Sequence, residues 1–290
     1  MLAFASNIGG TATLIGDPPN IIIASRADLS FADFLVHLAP IVVVLLTAFT
    51  YLCWLLFGRR LNSLRAGRPL PPLRRAADAI VDVHVLVRCL LILVLVMLGF
   101  VLHSTLHLDP SIVAMLGAGA MVLAARATPQ QFLEEVEWAT LVFFMGLFVL
   151  VGGLVRVGVI EALGRAATEA MGERYLLAAS ALLFGSAVLG AVVDNIPYTT
   201  AMAPIVEDLV ASVPDQQQGR ALWWAFALGA DLGGNTTAVA AGANVVVVGL
   251  AARHHEPISF WEFTRYGLLV TAVTLVLAWP YVWLRYFFGS

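Results

Sequence analysis

Three aspartates lie inside strongly apolar stretches of this chain, at Asp17, Asp194 and Asp231. A carboxylate at bilayer depth costs about 2.5–3.5 kcal/mol on insertion scales, so such a group usually has a function. Carboxylates in this setting can take up protons or small cations. Helix capping is a structural alternative for Asp17, which precedes two prolines, and for Asp194. Asp231 lies inside a helical stretch, so capping explains it least well.

Asparagine and threonine side chains accompany these aspartates and could supply neutral oxygen ligands. Unwound carbonyls with such side chains suit Na⁺, whereas half-helix N-termini suit an anion. The same side chains could also satisfy broken backbone. No arginine occupies these stretches, so an anionic substrate would be held by helix ends and a co-bound cation, Na⁺ or H⁺. The predicted binding residues are Asn7, Thr11, Thr13, Asp17, Asn20, Asp194, Asn195, Asp231, Asn235, Thr236, Thr237 and Asn244.

Glycine and proline interrupt the apolar stretches that carry these polar residues. Proline removes a backbone donor and glycine weakens a helix, so residues 6–20 and 230–244 each predict two half-helices joined by an unwound crossing. Residues 194–197 predict the tip of a re-entrant hairpin. Such breaks are tolerated at membrane depth only where they are buried in protein or line a wet cavity. The predicted break residues are Gly9, Gly10, Gly16, Pro18, Pro19, Pro197, Gly233, Gly234 and Gly242.

The two broken segments are similar in sequence. They align without a gap, and a second pair of matching blocks, 29–34 and 258–263, follows them. Paired broken segments in corresponding halves are typical of secondary transporters. Counting arginines by side gives the two copies opposite orientations, which predicts an inverted repeat. In the alignment Asn7, Gly9, Gly10, Thr13 and Asn20 fall on Asp231, Gly233, Gly234, Thr237 and Asn244.

The composition excludes an ordinary soluble domain. The chain is 60% hydrophobic and 12% charged, with a mean hydropathy of +0.90. These values are typical of a polytopic membrane protein, and all 16 cationic residues are arginine. We expect an all-α protein in the plasma (inner) membrane, in contact with lipid and a small ion, with no cofactor beyond a coupling ion and no nucleic acid partner.

The predicted order of the chain has three parts. Residues 1–58 are the broken helix and final span of the first repeat, 59–83 are a basic, proline-rich cytoplasmic loop, and 84–290 are the second repeat. We expect the first repeat to lack its scaffold span and hairpin, which would leave Asp17 and Asn20 facing lipid or an open cavity. Within the second repeat we expect scaffold spans at 84–157, an outer amphipathic segment at 158–174, a hairpin at 175–212, a broken helix at 221–251 and a final span at 265–287.

The motifs 6–10, 16–20, 194–195 and 233–244 resemble those of the ion transporter superfamily with a citrate-transporter-like domain. The likeness is closest to the branch that holds the P protein and the arsenite permeases. It implies an elevator-type carrier, usually a homodimer in the dicarboxylate branch. Hairpin tips of that branch carry Ser-Asn-Thr, and Thr or Ser often stands at the position of Asp17. Asp194 departs from that pattern, which favours an inorganic anion or proton coupling. Asp17 departs from it too, which favours the interpretation of Asp17 as an N-cap.

Three functions remain open from the sequence. The first is a secondary transporter of an inorganic or small organic anion, coupled to Na⁺ or H⁺. Within this class a Na⁺/H⁺ antiporter remains open, and it would use Asp194 and Asp231 as exchanging carboxylates. An intramembrane aspartyl protease would need two carboxylates that share a proton, but its sequence contexts are absent and it leaves the repeat unexplained. An inactive transporter fragment is the third possibility. We expect that the protein is not an enzyme.

Overall fold

The computed structural model describes residues 1–65, 82–126, 128, 130, 133–134, 136, 138–172 and 174–288. The chain has two compact units, and the division between them falls within three of the helices. The first unit holds Met1–Leu29, Asp33–Trp54 and Met145–Ser290, and the second holds Ser30–Ala32 and Leu55–Phe144. Most of the predicted 59–83 loop lies outside the described residues.

The described residues form helices joined by short connections. The N-terminal helices are α1 (Leu2–Gly10), α2 (Pro18–Ala27), α3 (Phe31–His37) and α4 (Ala39–Arg65). They are followed by α5 (Val83–Leu106), α6 (Pro110–Ala125), α7 (Trp138–Arg156) and α8 (Val159–Met171). The C-terminal helices are α9 (Tyr175–Val193), α10 (Asn195–Ala211), α11 (Gln216–Gly233), α12 (Gly242–Arg253) and α13 (Phe260–Tyr286).

Four described helices are long and apolar enough to cross a membrane, by length and composition: Ala39–Gly58, Val83–Leu106, Tyr175–Val193 and Phe260–Tyr286. The bent pair Leu141–Arg156 and Glu161–Met171, with an angle of 71°, would make a fifth. Helix α6 has 16 residues. At 1.5 Å per residue it is about 24 Å long, shorter than a hydrocarbon core of about 30 Å.

Helix α11 is the core of the first unit. From Leu222 to Gly233 every residue is buried, and the helix packs against α9, α10 and α13. Its close approach to α9 depends on glycine. A Cβ atom added at Gly233 would lie 2.6 Å from the Cα atom of Ala187 in α9. From Leu222 to Gly233 the sequence of α11 is apolar all round except for Asp231, as expected for a helix segment with no free face.

Helices α9 and α10 form the predicted hairpin in the first unit. The chain turns at Asp194, whose backbone has a φ of 89°, a conformation that L-residues other than glycine rarely adopt. Four residues later the hydroxyl of Tyr198 donates a hydrogen bond to Ser186 Oγ (2.9 Å), which ties the start of α10 back to α9. Strain of this kind, of order 1–3 kcal/mol, usually persists only where the surrounding structure imposes it.

The second unit is built around α5 and α6, which pack closely through their glycines. A Cβ atom at Gly99 would lie 2.8 Å from Val113 Cγ1, so the two helices could not approach as they do with a larger residue there. Asp82 caps α5 by accepting hydrogen bonds from the backbone N–H groups of His84 and Val85. These helices carry none of the predicted binding residues.

Candidate functional site

The two helix breaks have the same backbone geometry. In the first, α1 ends at Gly10 and α2 begins at Pro18; in the second, α11 ends at Gly233 and α12 begins at Gly242. The residues before α2 and α12, Asp17 and Ala241, are both extended, with φ, ψ of −141°, 142° and −152°, 146°. Three backbone hydrogen bonds recur in the two breaks. In the first break they run from Ala12 N to Gly9 O, from Gly16 N to Thr13 O and from Asn20 N to Asp17 O. In the second break the corresponding bonds run from Thr236 N to Gly233 O, from Ala240 N to Thr237 O and from Asn244 N to Ala241 O.

One asparagine in each break satisfies the carbonyl groups that the interrupted helix leaves free. Asn20 Nδ2 donates to the carbonyls of Gly10 (3.4 Å) and Thr13 (3.0 Å). Asn244 Nδ2 donates to the corresponding carbonyls of Gly234 (2.7 Å) and Thr237 (2.8 Å). Both asparagines are fully buried. The alignment of the two segments therefore identifies residues that make the same contacts.

Asn7 connects the first break to the second. Its Nδ2 donates to Asn235 Oδ1 (3.2 Å) and to Asn244 Oδ1 (3.1 Å), two residues more than 220 positions away along the chain. Asn244 thus uses both its amide nitrogen and its oxygen within the protein. The amide nitrogen of Asn235 is buried and has no hydrogen-bond partner among the described residues.

Asp231 is the most deeply buried of the three aspartates. It lies in the last turn of α11, is fully buried, and neither of its carboxylate oxygens has a hydrogen-bond partner among the described residues. Its electrostatic neighbours are the carboxylate of Asp17 and the side chains of Thr11 and Asn20. A buried carboxylate next to a second carboxylate must be neutralised by a proton or a cation, because an unpaired charge is very costly in an apolar interior.

Asp17 and Asp194 occupy N-cap positions but differ in what their side chains do. Asp194 Oδ1 accepts a hydrogen bond from the backbone N–H of Ile196 (3.0 Å), so it caps α10. Asp17 precedes Pro18 as predicted, yet its side chain makes no capping hydrogen bond. Instead, Asp17 faces Asp194 and the amide of Asn195. Asp194 is half-buried and Asp17 is 8% exposed.

The expectation that Asp17 and Asn20 face lipid or an open cavity is wrong. Helix α2 packs against both α10 and α11. The hairpin of α9 and α10 therefore covers the first break as well as the second. Asn20 is 0% exposed as a result. The side chains at the two breaks and at the hairpin tip therefore form one buried polar cluster in the first unit.

The remaining predicted residues have more local roles. Thr11 Oγ1 donates to the carbonyl of Asn7 (3.1 Å), and Thr237 Oγ1 donates to that of Ala191 in α9 (2.9 Å). Asn195 is buried with neither side-chain polar atom partnered among the described residues. Thr13 contributes its carbonyl to Asn20. Pro18, Pro19 and Pro197 lie in the first turns of α2 and α10, where proline is tolerated.

The break glycines are not equivalent in their surroundings. A Cβ at Gly10 would lie 2.6 Å from the carbonyl oxygen of Gly16, and Gly16 is as crowded by Gly10. Gly234 approaches Asn195 and Ala241. A Cβ at Gly9 or Gly242 would meet nothing within 4 Å, so close packing does not explain these two.

Sequence reasoning missed the residues of α13 that hold the second break. A Cβ at Gly267 would collide with the carbonyl oxygens of Asn235 and Thr236. The hydroxyls of Thr236 and Thr271 lie 3.1 Å apart, and Thr271 also donates to the carbonyl of Leu232 (3.3 Å). Threonine and glycine four residues apart on an apolar helix were the available signal.

A separate polar cavity of about 310 Å³ lies at the other end of α11, lined by His37, Gln216, Gln217, Arg220 and Tyr286. His37 Nδ1 and the Tyr286 hydroxyl are 2.6 Å apart, and the His37 ring stacks on Trp224. Burial, with the nearby Arg285, lowers the pKa of His37. Asp231 lies eleven positions after Arg220, about 16 Å along a helix, so this cavity is not the carboxylate cluster.

The described residues contain no group of three or more His, Cys, Asp or Glu side chains arranged to hold a metal ion. Asp17 is an electrostatic neighbour of both Asp194 and Asp231, with no convergence of all three. No arginine or histidine is among the electrostatic neighbours of these aspartates in the described part of the chain. The site is acidic and rich in amides, and it can take up protons or small cations.

Apolar helices long enough to cross a membrane and a buried polar site at two helix breaks are the features of a polytopic membrane protein. The family model described as Citrate transporter (CitMHS) matches residues 1–229, and the chain belongs to that family, within the ion transporter superfamily. The protein is thus an integral membrane protein.

Relatives agree with this assignment. A protein of Mycobacterium tuberculosis named an uncharacterized transporter is 52% identical over 285 residues, which cover 98% of this chain and 66% of the relative. An uncharacterized transporter of Synechocystis is 33% identical, covering 99% of this chain and 68% of its own length. The P protein of Sus scrofa is 31% identical, and the match covers 96% of this chain and 42% of the P protein. The chain therefore spans just under two thirds of the mycobacterial relative's length.

Proposed function

We propose that this chain forms the ion- and substrate-binding part of a secondary active transporter that carries a small anion together with H⁺ or Na⁺. The observation that carries the proposal is the acidic cluster of Asp17, Asp194 and Asp231, which is buried at two helix breaks and has no cationic neighbour in the described residues. Such a cluster is stable in an apolar interior only when protons or cations neutralise it.

The same charge balance requires coupling. An anion such as the citrate named in the family's description would add negative charge to a site with no fixed positive charge. It can enter only with cations or protons that cancel this charge, and the aspartates are the groups that would bind them. Helix N-termini at α2, α10 and α12 supply partial positive charge for the anion itself.

The conformational cycle and the assembly follow from the resemblance to the wider superfamily. We propose an elevator-type movement of the two broken helices and their hairpin, an inverted relation of the two repeats, a homodimer, and a place in the plasma (inner) membrane. The matching hydrogen bonds of the two breaks support the repeat. Family membership favours a transporter over the protease alternative, in which a pair of aspartates would cleave peptide bonds.

A Na⁺/H⁺ antiporter is the second candidate. It is favoured by the lack of any cationic side chain near the aspartates among the described residues, since an antiporter needs no group that attracts an anion. In that case Na⁺ and H⁺ would compete for the same carboxylates.

Proteoliposomes distinguish these functions. Uptake of labelled citrate, other di- and tricarboxylates and phosphate is measured with an inward H⁺ or Na⁺ gradient imposed separately. We expect one of these gradients to accelerate the uptake of one anion, and Asp17→Asn to abolish the acceleration. Glu207→Gln is the matched control, because Glu207 is a half-exposed carboxylate on α10 that pairs with Arg26. Exchange of Na⁺ for H⁺ without any anion would instead establish the antiporter, and uptake of every anion at the same rate with and without gradients would refute coupling.

A further inference from the structure

Asn7 and Asp231 occupy equivalent positions in the two repeats, and each contacts the break of the other repeat. Asn7 donates to Asn235 and Asn244 in the second break. Asp231 lies beside Thr11 and Asn20, the residues of the first break that align with Asn235 and Asn244. The contacts are therefore reciprocal. They differ in one respect: an amide stands at position 7 and a carboxyl group at position 231.

The donors around Asp231 are already in use. Asn20 has two N–H donors, and they point at the carbonyls of Gly10 and Thr13. Thr11 has one O–H donor, and it points at the carbonyl of Asn7. Rotating the Asn20 amide would place its oxygen against two carbonyl oxygens, so its orientation is determined. The Thr11 hydroxyl and the Asn20 amide are close enough to Asp231 to favour its ionised form. Their hydrogens are nevertheless directed at backbone carbonyls, and neither Asp231 oxygen accepts a hydrogen bond from a described residue.

The acceptors around Asp231 are correspondingly unsatisfied. Asn20 Oδ1 is buried and has no partner among the described residues, and the same is true of both Asp231 oxygens. In the second repeat the equivalent oxygen, Asn244 Oδ1, accepts a hydrogen bond from Asn7 (3.1 Å). A proton on Asp231 would give Asn20 Oδ1 the corresponding hydrogen bond, because a protonated carboxyl group is a donor.

We infer that Asp231 carries a proton in this conformation and donates it to Asn20 Oδ1, reproducing in the first repeat the bond between Asn7 and Asn244. The inference rests on the proposed function, and within it assigns the atom that holds a coupling proton. Transfer needs only an acceptor: the proton leaves the Asp231 oxygen for the carboxylate of Asp17, its charged neighbour.

The surroundings of Asp231 are consistent with this exchange. Helices α1, α2, α9, α10 and α13 pack against α11, and Asp17 at the start of α2 is the one charged neighbour of Asp231 in the described residues. Asp17 in turn neighbours Asp194, which is half-buried. The three carboxyl groups thus become more exposed in the order Asp231, Asp17, Asp194, which is a path along which a proton could reach water.

Infrared spectroscopy of the purified protein tests the protonation state directly. A protonated carboxyl group has a C=O band distinct from that of a carboxylate, and we expect the wild type to show one such band from a buried group that is missing from Asp231→Asn. The band should remain in Glu207→Gln, an exposed control. If the band persists in Asp231→Asn, or if it is absent from the wild type and Na⁺ binding changes the carboxylate bands, the inference is overturned in favour of another group or a bound cation.

Exchanging the two residues is the sharper genetic test. Asp231→Asn should fold, because its amide can donate to Asn20 as Asn7 donates to Asn244, and failure to fold would count against the inference. Asn7→Asp alone should create a second protonated carboxyl group. The double variant Asn7→Asp/Asp231→Asn should keep one band, now from position 7.

Transport separates this inference from the function on which it rests. Asp231→Asn should lose the acceleration of uptake by a pH gradient. If it retains that acceleration, the proton is elsewhere and the coupled transporter stands. If the wild type shows no coupled transport but the band disappears in Asp231→Asn, the protonated carboxyl group stands and the proposed function falls.

Discussion

The first and second helix breaks have the same backbone geometry but differ in charge. Three hydrogen bonds and one capping asparagine recur in both. The second break is neutral: Ala241 precedes its second helix, and Asn7 reaches it with an amide. The first break is acidic: Asp17 precedes its second helix, and Asp231 reaches it with a carboxyl group.

This difference separates two roles within one architecture. The amides of the second break are mostly used within the protein, since Asn244 employs both its nitrogen and its oxygen there. At the first break three buried oxygens, on Asp231 and Asn20, have no partner among the described residues, whereas at the second break only the amide nitrogen of Asn235 lacks one. Buried polar groups without partners are rare and usually mark sites that bind something. The acidic break is therefore the better candidate for the coupling ion.

The largest predicted effect comes from removing the capping asparagines. Asn244→Ala would leave the carbonyls of Gly234 and Thr237 unpaired and remove one acceptor of Asn7. Asn20→Ala would also leave two carbonyls unpaired and would remove the acceptor inferred for Asp231, but the hydrogen bonds of Asn20 are longer (3.4 and 3.0 Å, against 2.7 and 2.8 Å for Asn244). Each buried group left unpaired costs about 1–3 kcal/mol. Thermal unfolding in detergent should therefore show a greater loss for Asn244→Ala.

A double-mutant cycle with Asn7→Ala provides the control. Asn7 and Asn244 should show a coupling free energy, whereas Asn7 and Asn20 should be nearly additive because they share no hydrogen bond. Suppose that Asn244→Ala and Asn20→Ala lose the same stability and that Asn7 and Asn244 show no coupling. The polar groups of the second break would then be no better paired within the protein than those of the first.

Aligning the two segments predicted which residues correspond, because glycine, asparagine and proline have backbone roles that depend on local spacing. Asn20 and Asn244 are the clearest case, since each bonds carbonyls only seven and ten residues away. Local spacing cannot tell which helices meet. The contact of Asn7 with Asn244, and the cover that α10 gives to both breaks, depend on packing between distant segments.

A smaller effect is expected from the glycines that precede the breaks. Gly9 and Gly233 are equivalent, but a Cβ at Gly233 would lie 2.6 Å from the Ala187 backbone, while one at Gly9 would meet nothing within 4 Å. Overpacking of this kind typically costs about 1–3 kcal/mol, so Gly233→Ala should destabilise the protein. Neither glycine has a positive φ. Gly9→Ala should therefore stabilise it, by roughly 0.4–1 kcal/mol, through the unfolded state.

Melting temperatures of the two variants measure this difference. Gly242→Ala is a further control in the second break, because its surroundings are as open as those of Gly9. If Gly233→Ala has the same melting temperature as the wild type, α11 and α9 must be able to separate locally. The packing of the second break would then be looser than the structure shows.

The smallest effect on stability is expected at Asp17, where the sequence predicted an N-cap position but could not reveal that no cap bond forms. Asp17→Ala copies Ala241 into the first break. It removes a buried carboxylate beside two others and loses no hydrogen bond to the backbone, so the free energy of unfolding should not decrease. Asp194→Ala is the matched control, since it removes a real cap and should cost about 1 kcal/mol. Thermal unfolding of both variants in detergent compares them, while gradient-driven uptake should fall in Asp17→Ala. A loss of stability in Asp17→Ala as large as that in Asp194→Ala would mean that Asp17 holds the first break together, and the acidic break would then owe its charge to structure instead of ion binding.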